Sequence, residues 1–179
     1  MDFSSAPSVP ALFFAVADAR PTAPLLWAKR NGAWEPHDRG RVAQEVRRVA
    51  AGLAALGLRP GDRVLLVSEN RPEWFVADFA VMAAGAITVP AYTTSTLDDY
   101  RHLLADCEPR VVILSGPALA HPLLDALAER PQPPIVVAFA PLAAATALPV
   151  HLWAALPPGQ NPGHAPTRED IACLIYTSG

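Results

Sequence analysis

With 179 residues the chain is long enough for one domain with a real core and too short for two large ones. Residues are 51% hydrophobic, the net charge is −3, and acids and bases are interspersed. No basic patch invites DNA or RNA and no like-charge run marks a disordered tail, so nucleic-acid binding and a tail-like chain are both disfavoured.

The start, Met1-Asp2-Phe3-Ser4-Ser5, lacks the basic residues and apolar block of a signal peptide. The best candidate for a membrane span, Trp74 to Tyr92, carries only Asp78 as a charge. Its pattern changes midway from helical spacing to a β-branched run, which suits a helix followed by a strand and predicts a soluble chain. Cys107 and Cys173 lie far apart in apolar settings and read as two reduced core thiols.

In chain order, residues 3–36 hold short apolar pieces broken by prolines. Leu12 to Ala17 predicts one or two helical turns, Pro24 to Lys29 a strand, and Asn31-Gly32 a hairpin turn returning through Ala33-Trp34-Glu35. Val42, Val46, Val49, Leu53 and Leu56 then recur at helical spacing, with Asp38 as N-cap and Gly57 as stop. Arg63 to Ser68 is a short buried strand, and Asn70-Arg71-Pro72 opens a helix carrying Phe75, Phe79 and Met82 on one face until Gly85. A strand at Ala86 to Val89 is closed by Pro90, and Thr96 caps a helix on which Leu97, Tyr100, Leu104 and Cys107 share a face.

Further strands are expected at Arg110 to Leu114 and Ile135 to Phe139, on either side of a helix over about Pro117 to Glu129. Alternating helices and continuous apolar strands predict an α/β fold, a mostly parallel sheet with helices on both faces. Between Arg130 and Arg168 there is no charged residue, and this stretch reads as one strand plus a long apolar connection. Finally Ile171 to Ile175 is expected as a buried strand that delivers Tyr176, Thr177, Ser178 and Gly179 into a turn. Hydroxyls and a glycine at such a turn suit a phosphate.

In a doubly wound sheet the loops at the carboxyl ends of the strands carry the site. Here they are Ser68-Glu69-Asn70, Pro90 to Ser95, Ser115-Gly116 and Tyr176 to Gly179. Neither Gly-x-Gly-x-x-Gly nor Gly-x-x-x-x-Gly-Lys-Ser/Thr is present, which disfavours a nicotinamide dehydrogenase, a plain nucleotide-binding Rossmann domain and a Walker-type ATPase. His37, His102, His121, His151 and His164 lack metal-ligand spacing and read as surface or loop residues. Asp98-Asp99 suits the first turn of a helix and is given no catalytic role. No metal site is expected.

Five segments in order resemble the N-terminal part of the adenylate-forming acyl-CoA synthetase superfamily, the AMP-binding enzymes. They are Val49 to Val64, Glu69 to Trp74, Ala83 to Tyr92, Tyr100 to Leu114, and Asp170 to Gly179. The last is similar to the start of that family's loop, Tyr-Thr-Ser-Gly-Thr-Thr-Gly-x-Pro-Lys-Gly. The hydroxyl-rich run Tyr92 to Thr96 is most similar to bacterial long-chain fatty-acid–CoA ligases.

The resemblance implies a ligase that joins a carboxylic acid to ATP as acyl-AMP and passes the acyl group to coenzyme A, with Mg2+ accompanying ATP. It implies that Tyr176, Thr177, Ser178 and Gly179 begin the ATP phosphate loop, Tyr176 anchoring it. It also implies a cytoplasmic enzyme, with peripheral contact at the inner membrane left open. Residues 1–179 would form the N-terminal part of the AMP-binding large domain, cut inside the phosphate loop, with no complete second domain. The remaining catalytic residues lie downstream in the family, so no catalytic residue falls within the chain, and the chain alone is expected to be inactive. The alternatives are an aryl-CoA ligase or a peptide-synthetase adenylation domain, and, as a non-enzyme, a truncated interaction module using an exposed sheet edge.

Overall fold

The computed structural model describes residues 5–142, 148–160 and 164–177. Helix α1 spans Val9–Ala19, longer than the one or two turns expected. Ser8 caps it by accepting from the Ala11 N–H at 3.3 Å, and Pro10 sits in the first turn, where no N–H is needed. Strands β1 (Pro24–Arg30) and β2 (Ala33–Asp38) pair antiparallel. Asn31 and Gly32 both take positive φ, 50° and 84°, as a two-residue hairpin turn requires.

Helix α2 (Arg39–Ala55) buries Val42, Val46, Val49 and Leu53, the stripe that the spacing predicts. Asp38 holds the N-cap position without a side-chain bond. There follow β3 (Arg63–Val67), α3 (Pro72–Ala83), β4 (Ile87–Ala91), α4 (Leu97–Cys107), β5 (Val111–Leu114), a 3-10 turn (Pro117–Leu119), α5 (Ala120–Ala128) and β6 (Ile135–Ala138). Thr96 and Asp99 close a reciprocal capping box at the start of α4. In the uncharged stretch the chain adds a three-residue strand, β7 (Val150–Leu152), and a 3-10 turn at Trp153–Ala155.

Strands β3 to β7 form one parallel sheet in the order β4-β3-β5-β6-β7. Continuous apolar strands need cover on both faces, and they have it. Val64, Leu66, Val111 and Ile113 pack under α1, α2 and α3, while Leu65, Val67, Val112 and Leu114 pack under α4 and α5. On the first face Phe13, Phe75 and Phe79 meet, with Phe75 and Phe79 stacked at 4.4 Å. Each fully buried Val, Leu or Ile of these strands contributes about 1.5–3 kcal/mol, and the half-buried Phe75 and Phe79 less. Among the described residues no helix is long and apolar enough to cross a membrane.

The last apolar run departs from expectation. Ile171 to Ile175 is not a buried strand: it lies along the outer edge of β4 and makes a single parallel bridge, Thr88 to Cys173. The Thr88 N–H donates to the Ala172 carbonyl at 3.2 Å, and the Leu174 N–H donates to the Thr88 carbonyl at 2.9 Å. The next rung would need an N–H two residues on, and that residue is Pro90, which has none. Pro90 therefore lies inside β4 instead of closing it, and it stops the ladder on that side. Cys173 is consequently exposed, which corrects its reading as a core thiol, while Cys107 is buried as expected.

Candidate functional site at the carboxyl end of the sheet

The chain leaves β3 for β4 on one side and reaches β5 on the other, so the order reverses between β3 and β5. Their carboxyl ends carry Ser68 and Ser115, both buried, with Glu69 between. The Ser115 hydroxyl donates to the Glu69 carboxylate and holds it below the usual range. Arg71 pairs with Glu73 at 2.9 Å, reaches Glu69 at 4.0 Å, and lies over the Phe139 ring at 5.2 Å. These groups satisfy one another across the crevice.

The two hydroxyl-rich loops meet beside β4. A pocket of about 280 Å³ opens there, with Tyr92, Thr94 and Ser95 from one loop facing Tyr176 and Thr177 from the other. His102, one turn into α4, completes that wall. Asp99 also borders it, but its carboxylate is committed to the Thr96 N–H at 2.7 Å and the Thr96 hydroxyl at 2.9 Å, which keep its pKa low. Hydroxyl donors and a loop end at the carboxyl side of a parallel strand can hold an anionic group.

Tyr176 is the fixed point of this wall. Its hydroxyl donates to the Asp106 carboxylate, and its ring stands edge-on to His102 with centroids 6.0 Å apart. Burial, followed by the bond to Asp106, raises its phenol pKa. Thr177 is exposed, facing the pocket, and Ser178 and Gly179 lie outside the described residues. His102 is a surface residue, as its sequence suggested, yet it stands at the pocket. Asp106 escaped the sequence reading altogether. The one available signal was the four-residue spacing of His102 and Asp106, which sets both on one side of a helix.

Other titratable residues singled out in the sequence lie elsewhere, in exposed pairs. His121 pairs with Asp125 at 3.2 Å and His164 with Asp170 at 3.3 Å, both on other parts of the surface. Asp98 pairs with Arg101 at 2.7 Å. Among the described residues no three metal-ligating side chains converge. A larger cavity, about 440 Å³, lies at the amino end of β4 between the start of α1, Met82 and Ile171. It is mostly apolar, and it sits at the wrong end of the strands for the ligand crevice of such a sheet.

Over 82 residues the chain is 42% identical to the long-chain-fatty-acid–CoA ligase FadD15 of Mycobacterium tuberculosis, covering 46% of this chain and 14% of that protein. It is 34% identical over 121 residues to the human mitochondrial acyl-coenzyme A synthetase ACSM5, covering 65% of this chain and 20% of that one. Its fold matches the apo structure of MbtA from Mycobacterium smegmatis with a TM-score of 0.77 at 23% identity, over 98% of this chain and 33% of that one. The chain therefore spans about a third or less of each of these three relatives. The model of the AMP-binding enzyme family matches residues 13–179, and the chain belongs to that family.

Proposed function

We propose that the chain is the N-terminal part of the large domain of an ATP-dependent acid–CoA ligase that activates fatty acids. Tyr176, Thr177, Ser178 and Gly179 begin its ATP phosphate loop. The observation that carries this reading is the meeting of the loops 92–96 and 176–177 across one pocket at the carboxyl end of β4, in a chain of the AMP-binding enzyme family. The fatty-acid class rests on the similarity to FadD15.

The chemistry is attack of a carboxylate on the α-phosphorus of ATP, releasing pyrophosphate, followed by displacement of AMP by the thiol of coenzyme A. A hydroxyl- and glycine-rich loop suits the first step because its donors follow the β- and γ-phosphates as charge moves onto the leaving pyrophosphate. Mg2+ would arrive with ATP, bound by its phosphates. In this chain the residues with work to do are Thr177, which lines the pocket, and Thr94 and Ser95 across from it.

The test is acid-dependent ATP–pyrophosphate exchange by the protein at its natural length, with palmitate, benzoate and amino acids compared. Exchange driven by palmitate is the expected result. Exchange driven only by benzoate or an amino acid replaces the fatty-acid assignment, and exchange with no acid overturns the ligase reading.

A further inference from the structure

The backbone of residues 175–177 makes no hydrogen bond to another described residue, because the ladder beside β4 ends at Leu174. What ties this stretch down is a side chain. The Tyr176 hydroxyl donates to Asp106, and the Tyr176 ring rests edge-on against His102. His102 and Asp106 are four residues apart on α4, so they form one face. The platform under them is stiff. Helix α4 is capped by Thr96 and Asp99, buries Tyr100, Leu103, Leu104 and Cys107, and is tied to α5 by the Arg101–Glu129 pair.

We propose that Asp106 is a positioning residue for the phosphate loop: it holds Tyr176 against α4 and so sets Thr177 opposite the loop 92–96. The nucleotide part of this inference rests on the ligase reading above; the anchor itself does not. A phenol bonded to an ionised carboxylate is a strong, directional contact. A loop entry already held in place loses less conformational entropy when a ligand orders the rest of it. Asp106 touches no substrate in this scheme. Its effect passes through Tyr176, with His102 fixing the ring from the side.

Four variants of the natural-length protein test this: Asp106→Ala, Asp106→Asn, Tyr176→Phe, and the double variant Asp106→Ala/Tyr176→Phe. Amide hydrogen exchange at Leu174, whose N–H is held by the Thr88 carbonyl immediately before the anchored residues, reads the anchor without any ligand. Faster exchange in Asp106→Ala and Tyr176→Phe, with Asp106→Asn close to wild type because its side-chain oxygen still accepts, supports it. Unchanged exchange in Asp106→Ala overturns it.

Steady-state kinetics read the consequence. Losing one charge-assisted bond at the loop entry is expected to raise KM for ATP about tenfold, with KM for the acid unmoved, and the double variant should be no worse than the singles because they share one contact. A general structural defect would shift both KM values together. Faster exchange with KM for ATP unmoved overturns the positioning role while leaving the anchor. A wild-type protein with no acid-dependent exchange of pyrophosphate overturns the ligase reading, and the anchor is then judged by hydrogen exchange alone.

Discussion

Residues 148–160 and 164–177 are similar in length and largely irregular, and they meet opposite fates. The first crosses α2 and is locked there: Trp153 is 6% exposed and Leu156 7%. Gly52 makes room for it, since a Cβ at that position would lie 2.9 Å from the Leu156 Cβ. The Trp153 indole N–H donates to Glu45 at 3.1 Å, and Arg48 donates to the Trp153 carbonyl at 3.1 Å. The second follows the edge of β4, where Ile171 is 58% exposed and Ile175 66%. Each contains an apolar run, though only the second also carries charges, at Arg168, Glu169 and Asp170; the partner surfaces differ. Burial follows where a helix offers small residues and paired charges, and fails where a sheet edge offers one usable rung.

The comparison breaks most severely at Trp153. Trp153→Ala removes a buried aromatic that packs edge-on to Phe139 at 4.7 Å, and should cost about 3–5 kcal/mol, measured by chemical denaturation. An effect under a third of that would mean the crossing segment is not locked to α2.

On the other segment the sensitive point is Gly85, which has φ +74° and lies under His164. Gly85→Ala forces a side chain into a left-handed conformation at a cost of about 1–2 kcal/mol. The new Cβ would fall 2.2 Å from the His164 Cδ2, so the imidazole must swing off the site and away from Asp170. The check is the nuclear Overhauser contact between the His164 ring and residue 85, which the displaced imidazole should lose in the variant.

Glu45→Gln weakens the first segment more gently. The Glu45–Arg48 pair is more than a third exposed on both sides, so its ionic part is discounted, and the expected loss is about 1 kcal/mol. Bonding to Arg48 and Trp153 lowers the pKa of Glu45, led by the Arg48 hydrogen bond. A carboxylate whose folded pKa is depressed contributes stability above its unfolded value of about 4.3, and that contribution disappears as pH falls through the folded value. Wild type and Glu45→Gln should therefore differ at neutral pH and converge in acid. A gap that persists below both pKa values refutes the ionised role.

The elements that the sequence made legible are those whose pattern repeats. The four-three spacing of Val42, Val46, Val49 and Leu53 located α2, and the apolar runs located β3 to β6. The strand β7 was hidden because three residues, Val-His-Leu, carry no period. At the site, the hydroxyl-rich loops were visible as composition, but their meeting across a pocket is a product of the sheet order. Asp106 gave only its four-residue spacing from His102, too weak a signal because an exposed acid on a helix looks like any solvated face. The terminal run was misread because five β-prone residues say nothing of the neighbour they will find, although the decisive residue, Pro90, was in plain view as a proline beside that edge.

Pro90→Ala is the finest test of the comparison, and its expected free-energy change is close to zero. The variant supplies the missing N–H, aligned with the Leu174 carbonyl by the same parity that aligns Thr88 with Ala172. The added hydrogen bond is worth about 0.5–1.5 kcal/mol. Against it, losing a proline frees the unfolded chain and costs about 0.4–1 kcal/mol. The two offset each other, so denaturation should scarcely register the change, and amide exchange should. If the edge lacks only a donor, the new amide at position 90 exchanges slowly and residues 174–176 gain protection, turning one bridge into a short ladder. If that amide exchanges as freely as an open edge, the single bridge has another cause, and the contrast between the two segments rests on the α2 side alone.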